Sequence, residues 1–203
     1  MSRSNKIPFP RGRSAAQGTT IDTNDLQGVH LEGQIVHLAD AAKATPEVRR
    51  SNTDVVARVF RNASGGLLTP GTAVQYADGY WGTRVTTCTA AVGQQCAGIV
   101  DDWLPTAGAQ ANDLIYIIVR GPVSAAVGSG MTSHSGSVTK QGEPVWVSDQ
   151  AGKVEPTPIA GTSADGPINH IIGKAIAGGT AATGEATSGF VTAATLLIQV
   201  EIE

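Results

Sequence analysis

The histidines and cysteines are the side chains whose chemistry could mark a metal centre. His30 and His37 are seven residues apart, which in an extended segment separates them by roughly 23 Å. Cys88 and Cys96 have no second cysteine pair that would complete a tetrahedral zinc site. We expect two buried thiols, with a disulfide across a hairpin as the alternative. The sequence therefore predicts no metal site and no cofactor.

A hydrolytic site is the next possibility that the residue types raise. His134 lies among serines in the run TSHSGS, and Asp101 or Asp102 could supply the carboxylate of a Ser–His–Asp arrangement. A run rich in Gly, Ser and Thr is, however, typical of a surface loop, and the two aspartates are expected in a turn after a strand. The sequence contains no G-x-S-x-G elbow, Walker loop or G-x-G-x-x-G dinucleotide motif. We therefore predict no catalytic residues and a protein that is not an enzyme.

The tryptophans could bind a ligand by stacking. Trp81 follows Tyr76 and Tyr80 on one predicted hairpin, and Trp103 and Trp146 lie at comparable places in other strand blocks. Core filling is the expected role, and a carbohydrate-stacking face is the alternative, since an aromatic ring offers a flat apolar platform with a polar edge. Exposure of all three tryptophans together would favour sugar binding, whereas a structural protein is expected to bury them.

The composition indicates a surface that is covered by other proteins. Only 15% of the 203 residues are charged, against a typical fraction of roughly 25%. The mean hydropathy is −0.01, so a chain with few solvating side chains fits a subunit of an assembly. The net charge of −3 excludes a strongly basic nucleic-acid binder. No apolar run approaches roughly 18 residues, so we expect neither a membrane segment nor a secretion signal.

Strand patterns begin at Asp54 and continue to the last residues. The run VVARVF is followed by turn residues, and the run LIYIIV is typical of a strand that is buried on both faces. Helical periodicity is not convincing anywhere after residue 50. The sequence predicts an all-β domain over residues 54–203, folded as a compact β-barrel or sandwich that removes open sheet edges.

A weak internal repeat divides this domain at about 54–122 and 123–203. Three positions of the first part recur 71 residues later in the second, namely Gly71, Val74 and Asp78 against Gly142, Val145 and Asp149. Further on, AGIV corresponds to the region of IIGKAI, and DLIYIIV to TLLIQVEI. We therefore expect two similar β units, which together would complete one barrel or sandwich.

Residues 1–53 have a different character and predict a long, extended N-terminal arm. Prolines and glycines interrupt the first 28 residues, and the first thirteen carry four positive charges and no acidic residue. Such arms gain affinity by docking onto a partner, so we expect this one to be disordered in the free protein. The predicted partner-binding residues are Arg3, Lys6, Ile7, Phe9, Arg11 and Arg13.

Taken together, the G-x-x-V-x-Y/V strands, the DG or DQAG turns, the AGIV or IIGKAI steps and the closing V-x-V-x strand resemble those of tailed-bacteriophage head decoration proteins, also called cement proteins. The resemblance covers about residues 54–203. It implies a structural virion protein, made in the host cytoplasm, that binds the major capsid protein on the outer capsid surface, often as a trimer. The alternative is a carbohydrate- or receptor-binding module of a phage head or tail fibre.

Overall fold

The computed structural model describes residues 8–9, 11–14, 31–39, 54–89, 95–127, 142–148, 150–156, 171–176 and 195–202. These described residues form ten strands, namely β1 (Ile35–Ala39), β2 (Asp54–Asn62), β3 (Ala73–Tyr76), β4 (Arg84–Thr87), β5 (Cys96–Val100), β6 (Leu114–Ala126), β7 (Pro144–Val147), β8 (Val154–Pro156), β9 (Ile171–Ala175) and β10 (Thr195–Glu201). This part of the chain contains no α-helix, and thus no helix that could cross a membrane. The all-β prediction is confirmed.

Five strands close into a barrel in the order β2-β4-β3-β5-β6, with β6 returning to β2. The strand β2 is antiparallel to β6, pairing Phe60 with Ile115, and parallel to β4, pairing Asn62 with Val85. All five strands contribute to one buried apolar cluster, which therefore fills the ring: Phe60, Val74, Val85, Ala97, Val100, Ile115 and Ile117, joined by Leu68, Leu104 and Ala109. The predicted barrel is confirmed, and closure leaves its strands without open edges.

The four strands after β6 pair in the same pattern as the four that end with β6. The pairs β3–β4, β3–β5 and β5–β6 have counterparts in β7–β8, β7–β9 and β9–β10, and all six pairs are antiparallel. Val74 faces Gly98 in the first set and Val145 faces Gly173 in the second, with a β-bulge following each pair. The two sets thus share strand order, direction and an irregularity at the same place.

The long strand β6 belongs to both sets. Its first part pairs with β2, and residues 120–126 pair with β10. A single parallel bridge joins Val127, just beyond β6, to Val154 of β8, in the position that the Asn62–Val85 pair occupies between β2 and β4. The predicted boundary between residues 122 and 123 falls inside this strand, which ends one set and begins the other.

A larger apolar cluster connects the second set of strands to the outer face of the barrel. Alternation along β6 turns Ile115 and Ile117 into the ring and Tyr116 and Ile118 to the opposite face. The remaining members come from β1, β7, β8, β9 and β10, among others. The two sets are therefore packed into one body through a shared core.

Strand β1 lies within the range predicted to be an extended arm. It pairs antiparallel with β2, placing Val36 beside Ala57 and Leu38 beside Val55. Val36 and Leu38 are buried, whereas Ile35 and His37 are exposed. This period-2 alternation of apolar and exposed side chains is what a strand with one covered face requires, so residues 35–39 are part of the sheet.

Candidate functional site

The N-terminal segment, meaning residues 8, 9 and 11–14, lies against the barrel. Phe9 stacks on Tyr116 of β6 with ring centroids 4.3 Å apart. The Tyr116 hydroxyl donates to the Phe9 carbonyl oxygen at 2.6 Å and accepts from the Phe9 N–H at 3.3 Å. Burial raises the pKa of Tyr116 to about 12, which keeps the phenol protonated as a donor. Phe9 is therefore held by both its ring and its backbone.

Arg11 forms the most extensive polar contact of the segment. Its Nε donates to both carboxylate oxygens of Asp101, at 3.1 and 3.2 Å, and its Nη2 donates to Oδ1 at 3.0 Å. Asp102 Oδ1 lies 3.8 Å from Arg11 Nη2, and the Arg11 guanidinium lies 4.8 Å from the ring centroid of Trp103. The side chains of Arg11 and Asp101 are 10% and 4% exposed, so the pair is largely removed from water. Charge-assisted hydrogen bonds are stronger in such low-dielectric surroundings than in water.

The residues after Arg11 fix the path of the segment. Gly12 has φ +77°, and a Cβ at this position would lie 2.7 Å from the backbone oxygen of Trp103. Ser14 donates from its hydroxyl to Asp113 Oδ2 at 2.9 Å. We call the acceptor surface the cradle, which consists of Asp101, Asp102, Trp103, Asp113 and Tyr116. It matches a Phe-x-Arg-Gly-x-Ser sequence, position by position.

The structure describes three of the six predicted partner-binding residues. Phe9 and Arg11 contact the cradle of their own chain, and Arg13 is exposed. Arg3, Lys6 and Ile7 lie outside the described residues. Their assignment to a partner surface stays a prediction, as does the disorder expected for the free arm.

The buried carboxyl of Asp101 makes the stability of the cradle dependent on pH. Burial raises the pKa of Asp101 above its usual value of 3.8, and Arg11 opposes this rise. The folded chain therefore holds this proton more strongly than the unfolded chain, so the contribution of Asp101 to the free energy of unfolding is fully present below about pH 3.8. It declines as the pH rises through the raised pKa.

We expect the Asp101→Asn chain to lack this decline, because asparagine does not ionise. The free energy of unfolding of wild type minus that of Asp101→Asn should be largest at low pH and should fall as the pH rises. Urea unfolding of both chains at a series of pH values, followed by tryptophan fluorescence, measures this difference. Two curves that stay parallel from acidic to neutral pH would contradict it.

The turn between β3 and β4 carries the second surface feature, an exposed aromatic cluster. Trp81 is 69% exposed, and its ring lies 4.3 Å from that of Tyr76. Tyr76 in turn meets Phe60, inside the barrel, edge-on at 5.9 Å. A continuous aromatic contact thus runs from the barrel interior to the surface and holds Trp81 in place.

Charged side chains hold the other side of this turn. The Arg84 guanidinium lies 4.2 Å from the ring centroid of Tyr80, which is 45% exposed. Glu32, just before β1, accepts from Arg84 at 3.4 Å and also from Arg61 of β2. We call Tyr76, Tyr80, Trp81 and Arg84 the aromatic tip. Phe60 holds Tyr76, which in turn packs against Trp81. The ion pair with Glu32 holds Arg84 beside the ring of Tyr80.

The other two tryptophans are not presented in the same way. Trp103 and Trp146 are each only partly exposed. Their indole N–H groups are buried and have no hydrogen-bond partner within the described part of the chain. Core filling, the role expected for the tryptophans, is therefore wrong for Trp81. The three tryptophans are also not equally exposed, as a shared sugar-stacking face would require.

The other residues considered for chemistry are the two cysteines and the histidines. Cys88 and Cys96 are free, buried thiols, as predicted, and their hydrogen bond and burial raise the pKa of Cys88. His37 contacts Asp54 at 2.7 Å on an exposed surface. Among residues whose placement is described, no group of three or more His, Cys, Asp or Glu could hold a metal ion. His30 and His134, which were considered from the sequence as site residues, lie outside the described residues.

No protein-family model matches the chain, and no curated protein sequence matches it either.

Proposed function

We propose that this chain is a structural, non-enzymatic virion protein that binds the outer surface of an assembled phage capsid. It stabilises the capsid by clamping neighbouring subunits of the major capsid protein, and it acts as a homo-oligomer, with a trimer favoured. Because it binds the assembled shell in preference to dispersed subunits, it stabilises the shell by mass action. It is made in the host cytoplasm and attaches to the virion.

The observation that carries this proposal is the aromatic tip. Tryptophan, tyrosine and arginine are the residues that most often dominate the binding energy of protein interfaces. Trp81 and Tyr80 are exposed on a body with few charged residues, and their fixed rings lose little conformational freedom on binding. The tip therefore supports a protein contact, and the resemblance to decoration proteins supports a capsid as the partner.

Replacing Trp81 with alanine should weaken binding to shells of the cognate major capsid protein by about 30-fold, the effect of a hot-spot residue worth about 2 kcal/mol. Fold stability should change little, because Trp81 is mostly exposed. Cosedimentation of the protein with assembled shells measures the affinity. Thermal release of the genome from particles carrying each variant measures the protection.

Leu67→Ala is the matched control, since Leu67 is also a large exposed apolar residue but lies in the loop after β2. It should bind shells like wild type. If wild type itself neither binds shells nor protects particles, the capsid proposal is wrong. If Trp81→Ala and Leu67→Ala bind like wild type while shells are protected, the tip is not the contact surface.

Carbohydrate or receptor binding at a phage head or tail fibre is the second candidate, and the same exposed Trp81 favours it. An indole face of this kind can stack on a sugar ring. Titration of the protein with a panel of oligosaccharides, followed by tryptophan fluorescence, separates the two functions. A saturable response that Trp81→Ala abolishes, together with no affinity for shells, would move this candidate ahead.

A further inference from the structure

We propose that the cradle binds the N-terminal segment of a second copy of this chain, so that neighbouring copies exchange segments. The inference goes beyond capsid binding and does not depend on it, since the exchange needs only the protein itself. The occupant is the N-terminal segment of the second copy, and the site is the cradle on the barrel.

The first argument is that the contacts are those of a short linear peptide with a remote acceptor. Phe9, Arg11 and Ser14 bond to partners that are 107, 90 and 99 positions away in the chain. None of these contacts depends on residues next to the segment in sequence. A segment from another copy would meet the same ring, carboxylates and hydroxyl, so docking within a chain and between chains uses identical chemistry.

The second argument is charge complementarity. Asp101 and Asp102 are both buried, at 3% and 6% exposure, and both lie close to the same guanidinium. Two neighbouring carboxylates without a cation would repel each other and lose solvation. The cradle is therefore best occupied by an arginine-bearing segment, whichever copy supplies it.

The third argument is reach. Seventeen peptide steps separate Ser14, the last described residue of the segment, from Leu31, which is buried in the body. Fully extended, this length spans up to about 60 Å, more than the roughly 43 Å that the 13 residues of β6 span. Once two copies are adjacent, the second docking event is intramolecular, which raises the effective concentration of the segment into the millimolar range.

A reciprocal charge exchange between two full-length chains tests this. Arg11→Asp gives a chain whose segment no longer fits its own cradle, and Asp101→Arg gives a chain whose cradle no longer fits its own segment. Each chain alone should stay monomeric, with residues 8–14 unprotected from hydrogen exchange. In an equimolar mixture each segment matches the other chain's cradle, so we expect a species of twice the mass of one chain in sedimentation velocity and recovered protection of residues 8–14.

The doubly substituted chain, Arg11→Asp with Asp101→Arg, is the control. Protection of its residues 8–14 would show that the exchanged charges can pair within one chain. A labelled peptide of residues 1–20 provides a second measurement that leaves the cradle unaltered, so a poorly folded Asp101→Arg chain does not leave the question open. The peptide should bind the full-length Arg11→Asp chain, and a peptide with Gly12→Ala should bind at least 10-fold more weakly, since the added Cβ meets the Trp103 backbone.

The proposal is overturned if the mixture remains monomeric at concentrations at which the doubly substituted chain is protected. It is also overturned if the peptide fails to bind the Arg11→Asp chain. If neither association nor peptide binding occurs but Arg11→Asp loses affinity for shells, the segment acts on the shell instead. Because association is measured without shells, failure here leaves the capsid proposal untouched.

Discussion

Replacing Gly98 with alanine should lower the free energy of unfolding by about 2–6 kcal/mol, the combined range for an overpacked interior and a strained backbone. Gly98 faces Val74 at the bulge between β3 and β5 and has φ +144°. A Cβ there would lie 2.4 Å from Ile117 Cγ2 and 2.6 Å from the Ile118 backbone oxygen, both on β6. The substitution therefore forces apart β5 and β6, two of the strands that close the barrel.

Urea unfolding followed by tryptophan fluorescence measures this loss. Gly66→Ala is the matched control, because an added Cβ at Gly66 would meet nothing within 4 Å, and we expect a change of at most about 0.5 kcal/mol. A Gly98→Ala chain as stable as Gly66→Ala would mean that β5 and β6 are not in close contact at this point.

Gly173 offers the same test in the second set of strands. It occupies the position of Gly98 opposite Val145, and a Cβ there would lie 2.0 Å from the Gln199 backbone oxygen of β10. Gly173→Ala should therefore also destabilise the chain strongly. Similar losses at both glycines would be the energetic counterpart of the shared pairing pattern.

The sequence was sufficient to predict strands because their signal is local. Apolar alternation and the continuous Ile–Val run of β6 set which faces are buried, and this information lies within a few residues. Closure of the ring was predicted only as one of two options, because barrels and sandwiches share the same alternation. The choice depends on the parallel pairing of Asn62 with Val85 and the return of β6 to β2, which are long-range contacts.

The cradle shows what local patterns cannot provide. Phe9, Arg11 and Tyr116 carry no periodic signal that links them, and a contact across about 100 residues has no trace in spacing. The available hint was chemical, since a cationic segment without acidic residues needs an anionic acceptor, and Asp101–Asp102 is an adjacent acidic pair. The aromatic tip was easier to predict from the sequence, because Tyr76, Tyr80 and Trp81 are close along the chain. Only the structure reveals that Trp81 is exposed.

Replacing Glu32 with alanine should cost about 3–5 kcal/mol of folding free energy, the usual effect of removing one partner from a buried ion pair. The side chains of Glu32 and Arg61 are each only 4% exposed, and Arg61 also donates to the Asn112 backbone oxygen at 2.7 Å. Without Glu32, the buried Arg61 charge loses its carboxylate partner, and Arg84 loses the carboxylate that holds it beside Tyr80.

The double substitution Glu32→Leu with Arg61→Met separates the ion pair from packing. Removing both charges while keeping apolar volume is often neutral for a buried pair, so this chain should regain most of the stability lost by Glu32→Ala in urea unfolding. The measurement also locates where the folded body begins, since Glu32 lies within the range that the sequence assigns to the arm. A loss of less than about 1 kcal/mol, as for an exposed ion pair, would mean that Glu32 is solvated and that the body starts after it. A loss in the expected range would make residues 31–39 part of the folded body, and only the chain before them could then reach a second copy.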